Sequence, residues 1–82
     1  MKKVAIYTTP TCHYCQMTKA FFKENNVAYE EYNVASDATR RAEMIEKSGQ
    51  MGVPVIAIGS EDGAEQYIVG FDKRGLTNAL GL

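Results

Sequence analysis

Between Thr8 and His13 the chain changes its period. Lys3-Val4-Ala5-Ile6-Tyr7-Thr8 is a short, nearly continuous apolar run, the pattern of a strand buried on both faces of a sheet. Thr9-Pro10-Thr11 breaks it. From about His13 to Asn25 the apolar residues Met17, Ala20 and Phe21 return at helical spacing, leaving Lys19, Lys23 and Glu24 for the wet face. A buried strand that passes into a helix within so few residues commits the chain to layered α/β packing. The same seam carries Cys12 and Cys15, the two cysteines of the sequence.

The remaining elements follow from punctuation and period. Residues 27–33, with Val27, Tyr29 and Tyr32, predict a second strand. Ser36 or Asp37 can cap a second helix with Ala38, Ala42 and Ile45 on its inner face and Gly49 at its exit. Val55 to Ile58 is a third strand, entered through Val53-Pro54. The turn-rich Gly59-Ser60-Glu61-Asp62-Gly63 predicts a hairpin into a fourth strand around Gln66 to Val69. Asp72 caps a last helix with Leu76, Ala79 and Leu80 inside, and Gly75 weakens that helix by up to ~1 kcal/mol relative to Ala.

The order is therefore βαβαββα. A right-handed crossover makes the first two strands parallel, and the short loop makes the last two antiparallel. The expected fold class is α/β, a four-stranded mixed sheet flanked by three helices. At 82 residues the chain is about half the usual length per domain, so a single domain over residues 1–82 is expected. Tyr7, Phe21, Ile45, Val55, Ile56 and Leu80 are the expected core, and the four methionines are gap fillers rather than ligands.

A net charge of -1 gives no electrostatic footprint for nucleic acid or an anionic membrane. No apolar run approaches the roughly 18 residues of a membrane span. Met1-Lys2-Lys3 imitates the start of a signal peptide, but Val4 to Tyr7 is too short for its apolar core. The expectation is an unprocessed cytoplasmic protein, with a periplasmic form lacking its leader as the alternative.

A lone pair of cysteines separated by two residues closes too small a loop to staple a fold, so chemistry explains it better than scaffolding. The first turn of a helix presents unpaired N–H groups and the positive end of its dipole. A thiolate is favoured there, at Cys12. Cys15, about one turn further in, lies on the same side, within reach but less exposed and less acidic. That placement assigns Cys12 the attack on a substrate disulfide and Cys15 the resolution of the mixed disulfide. Zinc would need four ligands, and His13 sits inside the tight turn, so no metal site is expected. Haem attachment would need histidine after the second cysteine, where Gln16 stands. An iron–sulfur cluster bridging two chains, with Cys12 from each and external thiols, is the remaining metal reading. As imidazolium, His13 would tune the Cys12 thiolate further, each 1.4 kcal/mol raising the reduction potential by about 30 mV. As an exposed turn residue it would do nothing, and the sequence supports both readings equally.

Three motifs in register carry a resemblance over essentially the whole chain. Thr-Pro-Thr-Cys-His-Tyr-Cys after a strand, Gly-Val-Pro-Val-Ile after the second helix and Val-Gly-Phe-Asp before the last helix are similar to those of a glutaredoxin. The family's usual centre is Cys-Pro-Tyr-Cys; Tyr14 matches and His13 replaces the proline. The resemblance implies a thioredoxin-like fold and a cis Pro54, an ordinary strand-entry proline being the alternative. It implies that the Pro54 turn lies against the cysteines and that the Val53 backbone pairs with substrate like an added strand. Val53 is extended in either case, because it precedes proline. Tyr14, Val53, Pro54, Gly70, Phe71 and Asp72 become the expected substrate or glutathione platform.

Departures from the pattern bear on the electron donor. Thr9 or Pro10 stands where glutathione-using members commonly carry Lys. Val69 replaces the first Gly of a Gly-Gly pair, and Lys73 replaces a second Asp. The N-terminus of the last helix near Asp72 can still hold the γ-glutamyl carboxylate. Gln50, Arg40 or Arg41 can serve the glycyl carboxylate, although such residues are more often solvated. The same departures resemble the small glutaredoxin-like proteins that take electrons from thioredoxin reductase and serve ribonucleotide reductase.

The expected function is thus a disulfide reductase acting on protein disulfides or glutathione mixed disulfides. Electrons come from glutathione as co-substrate or from thioredoxin reductase, with no tightly bound cofactor and a monomeric state. The rival readings are a cluster-bridged iron–sulfur carrier and a thioredoxin-like binding module with idle cysteines.

Overall fold

The computed structural model describes residues 3–59 and 65–82. Its elements are β1 (Lys3–Thr8), α1 (His13–Glu24), β2 (Glu30–Asn33), α2 (Ala38–Ser48), β3 (Val55–Gly59), β4 (Glu65–Val69) and α3 (Lys73–Leu80). Neighbouring residues of a strand point to opposite faces. Since Ile6 and Tyr7 are both buried, β1 needs cover on each side. It lies inside a sheet of order β2-β1-β3-β4, parallel to β2 and antiparallel to β3, with β4 antiparallel beyond.

Register sorts the side chains. Ile6 lies opposite Ile56, and Ile56 opposite Ile68, so one face is a continuous isoleucine row. Phe21 and Phe22 of α1 and Leu76 and Ala79 of α3 cover that row. The other face presents Tyr7 and Val55, covered by Val34 and by Met44 of α2. There the Tyr7 hydroxyl donates to Glu43 Oε1 at 2.7 Å, and the Arg40 guanidinium stacks over Tyr32, 4.0 Å from the ring centroid.

The helix ends obey local chemistry. Asp37, rather than Ser36, caps α2: its carboxylate accepts the Arg40 N–H at 3.1 Å, and Gly49 ends the helix at φ 71°. Asn25 ends α1, as expected. Asp72 caps α3 by accepting the Gly75 N–H at 3.0 Å.

Several expectations need correction. The inner face of α1 holds Cys15, Thr18 and Phe22, with Phe21 beside them, while Met17 and Ala20 face solvent. Thr18 is accommodated there because its hydroxyl donates to the Tyr14 carbonyl at 2.8 Å. Lys19, expected on the wet face, is half-buried. On α2, Ala38 and Ala42 are exposed and Met44 fills the core, so the helix turns a different side inward. Ile45 and Leu80 are only partly buried, whereas Tyr7, Phe21, Val55 and Ile56 are core residues. Met44 fills a gap as expected, while Met17 and Met51 are exposed and Met1 lies outside the described residues.

The second strand begins at Glu30, not at residue 27. Asn26 takes a left-handed turn at φ 55°, and the Val27 N–H still bonds the Phe22 carbonyl at 2.8 Å. β3 and β4 pair as a hairpin would, although residues 60–64 of the expected turn, like Met1 and Lys2 of the basic start, lie outside the described residues.

Candidate active site

The seam between β1 and α1 begins with a turn in which the Cys12 N–H bonds the Thr9 carbonyl at 3.3 Å. Cys12 is extended (φ -83°, ψ 113°) and caps α1, its Sγ accepting the Cys15 N–H at 3.1 Å. A helix N-cap ordinarily uses an oxygen for this bond. A sulfur in that place receives a backbone donor and stands at the positive end of the helix dipole.

Cys12 is half-buried and reachable, whereas Cys15 is fully buried. Burial, followed by its interaction with Cys12, pushes the Cys15 thiol up to about 12. The two sulfurs of one turn are therefore unlike: one is accessible and accepts a backbone N–H, the other is sealed and held protonated.

The second wall is the Val53-Pro54 turn, whose peptide bond is cis. The Cys12 thiol lies 3.8 Å from the Val53 carbonyl, which accepts from it. Pro54 is buried and its carbonyl is taken by the Gly70 N–H at 2.8 Å. Half-buried Val53 is thus the more accessible residue of the turn.

The third wall is the Gly70-Phe71-Asp72 segment. Gly70 has φ 79°, a left-handed conformation that glycine adopts without strain. Phe71 is half-buried, its ring edge-on to Phe21 with centroids 6.1 Å apart, so much of this expected platform residue belongs to packing. Asp72 spends one carboxylate oxygen on its own helix.

Tyr14 is 60% exposed beside the cysteines, and the His13 ring stands edge-on to it at 5.8 Å. Among the described residues, the His13 side chain makes neither a hydrogen bond nor an ion pair with Cys12. Arg40 is engaged by Glu43 and Tyr32 on the α2 face, while Arg41 and Gln50 are exposed. Val69 is 47% exposed at the end of β4. Among the described residues there is no group of three or more His, Cys, Asp or Glu side chains that could hold a metal.

One cluster beside this site has no sequence motif. Lys19 Nζ lies 2.9 Å from Glu31 Oε2, and the same oxygen accepts the buried Thr8 hydroxyl at 2.9 Å. The available signal was spacing alone, since Lys19 is one helical turn beyond Cys15.

A dithiol at a helix N-terminus, faced by a cis-proline turn at the end of a mixed sheet, defines a redoxin of the thioredoxin-like fold. Comparison with known proteins narrows the class. The glutaredoxin family model matches residues 4–62. A glutaredoxin-like 8.6 kDa protein encoded in a rubredoxin operon of Clostridium pasteurianum is 47% identical over 70 residues, covering 85% of this chain and 87% of that protein. Glutaredoxin 3 of Escherichia coli is 37% identical over 76 residues, 92% of each chain. The crystal structure of the thioredoxin-like protein BC3987 superposes with a TM-score of 0.82 at 35% identity, covering 94% of this chain and 99% of its own. The glutaredoxin of Archaeoglobus fulgidus, at 21% identity, shares the fold with a TM-score of 0.81 over 98% of this chain and 87% of its own. The chain belongs to the glutaredoxin family, and its role is that of a redox protein.

Proposed function

We propose that the protein is a dithiol reductase of disulfides. The Cys12 thiolate attacks one sulfur of a substrate disulfide, forming a mixed disulfide and releasing the first thiolate. Cys15 loses its proton, attacks Cys12 Sγ and expels the second substrate sulfur as a thiolate. The balance is two protein thiols oxidised to one disulfide and one substrate disulfide reduced to two thiols. An external reductant then restores the dithiol.

The observation that carries this reading is the asymmetry of the pair, with Cys12 capping the helix through its sulfur and Cys15 sealed behind it. Val53 at the mouth supports an extended polypeptide or the peptide backbone of glutathione as the disulfide carrier. No helix among the described residues is long and apolar enough to cross a membrane. The cytoplasm, whose thiol pools keep such a dithiol reduced, is the proposed setting.

The deciding experiment follows NADPH consumption with a small disulfide substrate. One arm supplies glutathione with glutathione reductase, and the other supplies thioredoxin reductase alone. Turnover with glutathione only assigns glutathione as donor, with Val69 and Lys73 tolerated in its groove. Turnover with thioredoxin reductase only assigns that enzyme and removes the glutathione contacts. Turnover in neither arm, with Cys12 inert toward disulfides, refutes the reading. A coloured dimer bleached by oxygen would replace it with cluster carriage.

A further inference from the structure

The inner stripe of α1 runs Cys15, Thr18, Lys19, Phe22, the spacing of a helix face turned to a sheet. Three of these side chains are fully buried, and the fourth is a lysine whose side chain is only 18% exposed. A cation in a core-facing stripe is costly unless it is paired. Here it is paired across the layer. Glu31 belongs to the same sheet face, because it lies opposite Ile6 in the parallel register, and it receives the Lys19 ammonium at 2.9 Å. The Thr8 hydroxyl, at the end of β1, fixes the same carboxylate oxygen at 2.9 Å.

Helical side chains lean back toward the N-terminus over the preceding turn. The preceding turn on this face is Cys15. Lys19 therefore stands one turn from the sealed thiol on the same helix face, with Glu31 holding its head and Thr8 holding Glu31.

We propose that Lys19, clamped by Glu31 and Thr8, is a positioning residue that stabilises the Cys15 thiolate as it forms in the resolving step, and that it leaves the first attack by Cys12 unaffected. This rests on the dithiol exchange proposed above. The proton lost by Cys15 ends on the thiolate that is released, and Lys19 stays protonated throughout. Its hydrogen bond to Glu31 raises its own affinity for a proton, and the same bond depresses the Glu31 carboxyl. Lys19 also opposes the upward push that burial exerts on Cys15. The charged or titratable groups facing these residues are Cys12 beside Cys15, Tyr29 beside Lys19 and Lys23 beside Glu31.

The test separates the two half-reactions. Reduced protein is mixed rapidly with an aromatic disulfide whose thiolate is coloured. The first equivalent of colour reports attack by Cys12, and the second reports resolution by Cys15. A Cys15→Ser variant marks the first phase alone. Loss of the cation depletes thiolate but makes each remaining thiolate more nucleophilic, with a Brønsted slope of ~0.4–0.5. A tenfold depletion then slows the second phase about three-fold at neutral pH. Lys19→Met should show that slowing, with the pH profile of the second phase displaced upward and the first phase unchanged. Lys19→Arg, which keeps the charge, should restore the wild-type profile.

An unchanged second-phase profile in Lys19→Met, or equal loss in Lys19→Arg, overturns the proposal while leaving dithiol exchange intact. Slowing of both phases together in Lys19→Met assigns the cluster to packing and overturns it equally. Absence of any first phase in the wild-type protein refutes the underlying exchange instead.

Discussion

Replacing Gly75 with alanine tests how the wall beside the cysteines is built. Within a helix, Gly→Ala ordinarily stabilises by ~1 kcal/mol. Gly75 occupies the third position of α3, with its N–H bonded to the Asp72 carboxylate at 3.0 Å. A Cβ there would sit 2.5 Å from Asp72 Oδ2 and 2.9 Å from its Cγ, well inside contact distance. The carboxylate must swing away, and the cap goes with it, a loss of about 1 kcal/mol. The two effects cancel, so Gly75→Ala should leave the protein no more stable than wild type. Without the carboxylate the conflict vanishes. In an Asp72→Ala background the same substitution should stabilise by about 1 kcal/mol, raising the melting temperature by ~4–8 °C for a domain of this size. Urea melts of the four proteins of this double-mutant cycle give the coupling directly. Additive effects, with Gly75→Ala stabilising in both backgrounds, would refute the claim that glycine makes room for the cap.

Other expectations follow from burial and from the thiol asymmetry. Met44→Ala, in the layer under α2, should cost ~2–5 kcal/mol in a urea melt, and Phe22→Ala on the opposite face ~3–5 kcal/mol. Iodoacetamide at mild pH should label Cys12 long before Cys15, so peptide mass mapping that found equal labelling of the native protein would contradict the burial of Cys15. Cys15 is held protonated up to about 12, whereas an unfolded thiol ionises near ~8.5. Its contribution to stability is therefore complete below the unfolded value and is lost as pH rises toward the folded one. Burial and the Glu43 bond push Tyr7 in the same direction. Urea midpoints should fall on raising the pH through that window, less steeply in Cys15→Ser; an identical slope in that variant would remove Cys15 from the account.

The sheet was legible because its signals are local. The unbroken run of β1, the caps Asp37 and Asp72 and the exit at Gly49 each satisfy a nearby backbone group, so sequence neighbours suffice to find them. Helix orientation was less so. Thr18 is polar by type yet returns its hydroxyl to the Tyr14 carbonyl, which lets it pass inward as an apolar residue would. Met17 and Ala20 are apolar by type yet lie on the opposite side. A period written only in hydrophobic letters rotates α1 toward the wrong residues, and that rotation is what sent Lys19 to solvent. The late start of β2 has the same character. The Tyr29 ring packs against Phe22, centroids 5.2 Å apart, without belonging to a strand, so its aromatic character imitates strand propensity.

The site divides along a similar line. The cysteines and the Val53-Pro54 turn are set by short stretches of sequence, and those stretches were recognisable. What joins them is not. The Gly70 N–H to the Pro54 carbonyl, and the Cys12 thiol against the Val53 carbonyl, link segments that are distant along the chain. Both contacts are made by backbone carbonyls, which every residue possesses, so no residue type announces them. The second depends on β1 pairing with β3 through Tyr7 and Val55, and the first on β3 pairing with β4 through Val55 and Val69, the last pair before those two segments leave the sheet. A one-residue slip in that pairing would turn the opposite faces of β4 inward and carry Gly70 away from Pro54. The third wall of the site is thus a consequence of register, and register is enforced by the isoleucine row on the face of the same strands that α1 and α3 cover. Packing beneath the sheet, more than any motif at the surface, decides whether Gly70-Phe71-Asp72 faces the cysteines at all.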